Sequence, residues 1–294
     1  MKKIQKEVQQ DLKTLICLDE IIQKGYKIKT PIPKERRCPY CNKLLEPKGI
    51  VNPLDKSIHI FLQDEKCNCS KAIEEQMQLR AEKEKRAMEE FELYRKQEIN
   101  MKIKQFYGTE FLTSQFKSKT IDNFIINETN KNMKYVAQDF IKEFKKKKKG
   151  IIFVGKNGTG KTHISIAIAN ELRKQNIPII FGTLTDLVEK YSESYKNHTE
   201  TELTRLYGKV DLLIIDDLGV EYMNDWLLSK LFVIVNERMK NELPIIITTN
   251  YELEQLKQRL SIPNKVCETT NSIISRLYEM CYRVECKGND YRMN

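Results

Sequence analysis

No apolar run in this chain of 294 residues approaches the roughly 20 residues that cross a bilayer, so a membrane-spanning helix is excluded. The opening residues Met1-Lys2-Lys3-Ile4-Gln5 soon meet Glu7 and Asp11, without the apolar centre of a secretory signal. A cytoplasmic location with no membrane partner is therefore expected. No internal repeat is visible, which excludes a solenoid or propeller. Acidic residues are outnumbered, 41 against 51 Lys and Arg, for a net charge of +10. The surplus suits an anionic partner, nucleic acid first, although lysine-rich composition accounts for it equally well. The run Lys145 to Lys149 reads as a solvated helix end. Eight cysteines in a reducing compartment are not expected to form disulfides. The 40% hydrophobic content is enough for a sizeable core, and the length suits two domains or one with a long appendage.

Against these absences one stretch stands out. Ile151-Ile152-Phe153-Val154 runs directly into Gly155-Lys156-Asn157-Gly158-Thr159-Gly160-Lys161-Thr162. The spacing lets a glycine-rich loop wrap a phosphate with backbone N–H groups. Lys161 would reach the β- and γ-phosphates, and the Thr162 hydroxyl would hold Mg²⁺. The loop opens a helix whose N-terminus also favours an anion. A glycine turn beside a surface lysine is the plain alternative. The buried-strand run before the loop and the helical I-S-I-A-I-A-N-E-L after it weigh against that. The chain is read as binding ATP through Gly155, Asn157, Gly158, Thr159, Gly160, Lys161, Thr162 and His163.

Three segments follow from composition. Residues 1–70 form an N-terminal helical and zinc-binding domain. Its first 30 residues look helical, with Leu12, Leu15, Ile16, Ile21 and Ile22 as apolar positions. Residues 31–70 hold five prolines and little periodicity, so a metal would supply stability that the core cannot. Cys38-Pro39-Tyr40-Cys41 and Cys67-Asn68-Cys69 offer four thiolates, a set that suits tetrahedral Zn²⁺. His59 could replace one of them, but a strand histidine without a metal role is the preferred reading. Cys17, Cys267, Cys281 and Cys286 read as ordinary semi-buried thiols. Residues 71–108, rich in Glu, Lys, Arg, Gln and Met, form a connecting helix exposed on most faces.

Residues 109–294 alternate short apolar strands with helices. Strands are expected at Ile151–Val154, Ile177–Phe181, Leu212–Ile215, Ile245–Thr248 and Arg283–Cys286. Helices are expected near 161–174, 184–196, 200–207, 225–241, 252–259 and 270–281. This is an α/β pattern with a parallel sheet covered on both faces. Leu212-Leu213-Ile214-Ile215-Asp216-Asp217 ends a strand in two acids. Asp216 would contact Mg²⁺, and Asp217 would orient or deprotonate the attacking water. A strand ending in a turn with two solvated acids is the weaker alternative. Asn250, after Ile245-Ile246-Ile247-Thr248-Thr249, could bond the γ-phosphate or the lytic water, or merely form a turn.

G-K-N-G-T-G-K-T, L-L-I-I-D-D-L-G, I-I-I-T-T-N and S-I-I-S-R-L-Y-E-M together resemble the AAA+ ATPases of the bacterial helicase-loader group. That group includes the DnaC and DnaI loaders and the IstB transposition helper. Phe116-Lys117 and Thr120-Ile121-Asp122-Asn123-Phe124 are similar to the segment that enters this domain in the family. The resemblance covers roughly residues 110–294.

It implies a P-loop AAA+ core, a parallel sheet flanked by helices. Lys161 and Thr162 match the Walker A pair, Asp216 and Asp217 the Walker B pair, and Asn250 sensor 1. Arg276 matches the arginine that enters a neighbouring subunit's site, and Arg292 the sensor 2 arginine. The Asp-Asp ending departs from the Asp-Glu of many motors, and only 44 residues follow Asn250, which implies a minimal lid and slow hydrolysis. The group's single-stranded DNA contact would fall near Lys190, Tyr191, Tyr195 and Lys196. An ordinary amphipathic helix suits that segment as well, and Glu189 and Glu193 weigh against DNA. DnaI-type loaders carry an N-terminal zinc module that grips the replicative helicase, whereas IstB lacks one. The implied function is ATP-dependent loading of a hexameric replicative helicase by an ATP-assembled homo-oligomer. An IstB-like transposition helper or a DNA-binding switch with little hydrolysis are the alternatives.

Overall fold

The computed structural model describes residues 15–34, 36–52, 55–62, 67–108, 116, 118–146, 148–262 and 268–288. The chain divides into two compact units, Met1–Phe91 and Glu92–Asn294.

Ahead of its long helix, the regular structure of the first unit is mainly short strands. Its elements are β1 (Leu15–Cys17), α1 (Leu18–Gln23), β2 (Lys27–Ile28), β3 (Arg36–Arg37), β4 (Leu44–Leu45), β5 (Lys48–Val51) and β6 (Ser57–Leu62). One sheet has the order β1-β5-β6-β2, and β3 pairs with β4 in a separate ribbon. The helical start expected over the first 30 residues is thus corrected among the described residues; Leu12 lies outside them. Among the described residues of that stretch only six are helical, because the segment buries itself against a sheet. Ile21 is the one buried residue of α1, and its side chain lies over Gly49 beside Ile58. Antiparallel β5 and β6 supply order to a stretch that shows little periodicity in sequence.

Helix α2 (Ser70–Tyr107) follows, as its lack of proline and glycine requires. Its residues up to Phe91 belong to the first unit and are mostly exposed. Its last turns belong to the second. There Arg95 pairs with Asp211 at 2.7 Å, Ile99 is buried, and Ile103, Phe106 and Tyr107 pack on the core. The composition change at Gly108 therefore comes after the second unit has begun, because a charged helix can still bury one stripe.

The second unit is a five-stranded sheet between helices. Its strands are β7 (Gly150–Val154), β8 (Ile179–Thr183), β9 (Leu212–Asp216), β10 (Ile245–Thr249) and β11 (Cys281–Glu285), ordered β11-β7-β10-β9-β8. All four pairings are parallel. The helices are α3 (Lys131–Lys142), α4 (Lys161–Lys174), α5 (Leu184–Lys196), α6 (Glu200–Lys209), α7 (Asp225–Lys240), α8 (Leu253–Leu260) and α9 (Glu268–Met280). Apolar residues fill both faces of β7, β9 and β10, giving two clusters with the sheet between them.

Three expectations shift. β11 runs over Cys281–Glu285 rather than Arg283–Cys286, because α9 ends at Met280 and Cys281 already pairs with Gly150 of β7. β8 begins two residues late, because Ile177 still bonds back to Leu172 of α4 and Pro178 has no N–H to give. Helix α3 was not expected. Its signal is Met133, Ala137 and Phe140, buried at helical spacing. The lysine run lies beyond α3, where Lys148 pairs with Glu242 and Lys149 lies over the Tyr282 ring.

At the edge away from the loop after β7, Arg238 of α7 is fully buried and donates to the carbonyls of Tyr207, Val210, Asp211 and Pro244. These groups would lose their only charged donor on truncation. Arg238→Ala is expected to destabilise the fold by about 3 kcal/mol, read by urea unfolding. A loss below about 1 kcal/mol would show that the carbonyls find other partners.

Candidate nucleotide site

Strands β7, β9 and β10 run parallel, so their C-terminal ends lie along one edge, where α/β sheets bind ligands. Three polar segments collect there: the loop after β7, the acids ending β9 and the Thr-Thr-Asn ending β10. Strand β10 lies between the other two, an order that the sequence did not reveal.

Gly160 caps α4 at φ +90°, and a Cβ there would come within 2.8 Å of the Phe124 ring. A side chain at that position would both strain the loop and push it off its support. The loop is also held by Thr159 Oγ1, which donates to the Lys156 carbonyl at 2.9 Å. Lys161 is buried, and its ammonium donates at 2.8 Å to the carbonyls of Gly155 and Lys156 and to Asn250 Oδ1. Thr162 Oγ1 donates to Asp216 Oδ1 at 3.1 Å, and Thr248 Oγ1 donates to the same oxygen at 2.6 Å. Asp217 begins the following turn at φ +50°, with its N–H on Thr248 Oγ1. Thus Lys161, Thr162, Asp216, Asp217 and Asn250 converge as one constellation.

Burial raises the Asp216 carboxyl above the usual carboxylate range, against the pull of the Thr248 and Thr162 hydroxyls. His163 bonds through Nε2 to the Thr120 carbonyl and Asn123 Oδ1 and meets the Phe124 ring edge-on. Burial lowers its pKa, which favours the neutral ring. It thereby fastens α4 to the 120–124 segment. Lys119, Asn157, Gly158, Gly160, Lys161, Thr162, His163 and Asp217 line a cavity of about 210 Å³.

Other expected residues lie apart. Arg276 on α9 donates to the Ser272 carbonyl and lies over the Phe232 ring, 5.1 Å from its centre. Arg292 lies outside the described residues. Tyr191 is corrected as a stacking residue. It is fully buried, bonded to Thr204 and packed on Tyr207, because it sits on the inward face of α5. Lys190 pairs with Glu193, while Tyr195 and Lys196 are exposed. Lys119 and Thr248 were missed. Thr248 had a signal, one of two hydroxyls that end a buried strand begun by three isoleucines; Lys119 had none.

In the first unit, the sulfurs of Cys38, Cys41, Cys67 and Cys69 all lie within 4.8 Å of one another. Cys38–Cys69 is 3.8 Å and Cys41–Cys67 is 3.3 Å. Four arms of about 2.3 Å give tetrahedral edges near ~3.8 Å, so the set fits a four-thiolate zinc ion. Burial would push the Cys38 thiol up, but the N–H groups of Tyr40 and Cys41 bring it to about 7. The side chain of His59 lies outside the described ones.

Residues 62–294 match the family described as IstB-like ATP binding protein. The chain belongs to that family. It is 26% identical over 163 residues to the replicative helicase loader DnaC of Escherichia coli K12, covering 54% of this chain. The match spans 66% of that protein, just under two thirds of its length. The crystal structure of DnaI superposes with a TM-score of 0.52 at 27% identity, over 61% of this chain and 94% of that one. The structure titled replication initiator DnaA bound to AMPPCP and single-stranded DNA gives 0.52 at 26%, over 61% and 52%. Fold and family together make this a DnaC/DnaI-type AAA+ core that binds ATP. No helix among the described residues is long and apolar enough to cross a membrane.

Thr248→Val keeps the shape of the strand while removing the hydroxyl shared by Asp216 and Asp217. It is expected to weaken Mg²⁺–ATP binding about tenfold, or about 1.4 kcal/mol, in a fluorescent-nucleotide titration. Unchanged affinity would show that the hydroxyl does not set the acid.

Proposed function

We propose that this protein is an ATP-driven loader of a replicative DNA helicase. The observation that carries the reading is the joining of Lys161 to Asn250 and of Thr162 to Asp216 at one sheet edge. In this arrangement Lys161 and the loop N–H groups hold the phosphates, and Thr162 and Asp216 hold Mg²⁺. Asp217 orients the attacking water, and Asn250 bonds the γ-phosphate or that water. Arg276 reaches a neighbouring copy's site, so hydrolysis depends on assembly.

Residues 1–70 form the docking domain, 71–108 the connecting helix and 109–294 the ATPase domain, on whose core the last turns of that helix pack. The four cysteines hold a structural zinc that builds the helicase-docking module. The similarity to DnaC and DnaI supports the helicase as partner. The DnaA complex supports single-stranded DNA, as do the exposed Tyr195 and Lys196 and the basic charge. The family match gives the transposition-helper reading its own footing, since it carries the IstB name.

Two outcomes are expected. Purified protein should carry one zinc per chain by atomic absorption. Cys67→Ser should lose that zinc and helicase capture while keeping ATP affinity; metal-free protein that still captures the helicase would contradict the docking role. In pull-downs with hexameric replicative helicases, the full chain should form a complex that responds to ATP. Binding to a transposase instead, with no helicase bound, would favour the IstB-like reading.

A further inference from the structure

The turn behind Asp217 is tied from two directions. Strand β10 holds it through Thr248 and Thr249. The Leu218 N–H donates to the Thr248 carbonyl at 2.9 Å, and Thr249 Oγ1 donates to the Leu218 carbonyl at 2.7 Å. The other tie comes from α8, where Arg259 Nε donates to the Gly219 carbonyl at 2.9 Å. The Arg259 guanidinium also lies over the Tyr251 ring, 5.2 Å from its centre. Gly219 is at φ +96°, and a Cβ there would come within 3.1 Å of that same ring. The turn is therefore wedged between Tyr251 and the arginine that caps it.

Tyr251 directly follows Asn250, and Asn250 receives the Lys161 ammonium. The contacts run from Lys161 through Asn250 and Tyr251 to Arg259, then to Gly219, two residues from Asp217. Beyond Gly219 the chain emerges, with Val220, Tyr222 and Trp226 exposed. Nothing in the nucleotide chemistry described above uses Arg259. A charged donor held on a flat aromatic face is a rigid clamp, because the guanidinium plane fixes both contacts at once.

We propose that Arg259 is a positioning residue. It fixes the Asp217 carboxylate by locking the turn behind it to the residue after Asn250. Contacts made at Asn250 are then transmitted to Asp217 and on to Trp226. The proposal rests on the ATPase reading, in which Asp217 orients the attacking water. A displacement of about 1 Å at such a group costs on the order of a hundredfold in rate.

The test uses the full chain with Arg259→Ala, Arg259→Lys and, as a second way to break the stack, Tyr251→Leu. Arg259→Ala should bind Mg²⁺–ATP within about twofold of the parent yet lose about tenfold or more in kcat at unchanged KM. Arg259→Lys should recover part of kcat, since it keeps one charged donor but not the planar stack. Tyr251→Leu should fall in the same direction as Arg259→Ala. Trp226, the single tryptophan, gives a readout independent of hydrolysis. Its emission should shift when a non-hydrolysable ATP analogue and Mg²⁺ are added to the parent, and the shift should vanish in Arg259→Ala. Parental kcat in Arg259→Ala, a rise in KM alone, or an undiminished Trp226 response would overturn the proposal. Were the parent itself unable to hydrolyse ATP, the ATPase reading would fall, and the Trp226 comparison would still decide the clamp.

Discussion

A buried ammonium is the constraint on which the second unit depends. Lys161 is buried and has three protons to give, and three oxygens of the chain meet them. Two are carbonyls of its own loop and the third belongs to Asn250, at the tip of a different strand. That bond couples the loop after β7 to the end of β10. It is the kind of contact a phosphate would compete for, since both want the same cation.

The rest of the sheet places other polar groups around this point. With β10 between β7 and β9, its two threonines reach both the acid strand and the turn beyond it. Thr248 bonds Asp216 and receives the Asp217 N–H; Thr249 bonds Leu218. Apolar side chains fill both faces of the three strands, so the polar chemistry is confined to their ends. The 120–124 segment completes the support, with Phe124 under Gly160 and Asn123 on His163. In the first unit the same economy takes another form. Little apolar surface is available there, and four thiols gather where a core would otherwise form.

Much of the second unit was legible in the sequence, because continuous Ile, Val and Leu runs alternating with helices leave few other arrangements. The phosphate loop, the paired acids and Asn250 were legible for the same reason: each sits at the end of such a run. Strand order was not, since nothing local says that β10 lies between β7 and β9. The role of Thr248 follows from that order, so its hydroxyl was visible in the sequence but its use was not. Tyr191 was left open between a stacking residue and part of an ordinary amphipathic helix, because an inward-facing tyrosine and a stacking one look alike in sequence. The N-terminal segment misled because its few apolar residues fit a helical spacing, while pairing between distant short strands decides its structure. The cysteine spacing survived that error, since ligand geometry depends on two local turns rather than on the strands around them.

The central claim is that the edge formed by Lys161, Thr162, Asp216 and Asn250 holds a magnesium nucleotide. Calorimetric titration of the purified chain with ATP, with and without Mg²⁺, tests it most directly. The account predicts one site per chain whose affinity falls at least about tenfold when Mg²⁺ is chelated, because two of the four groups serve the metal. Folded protein that gives no binding heat, or binds ATP equally well without Mg²⁺, would contradict it.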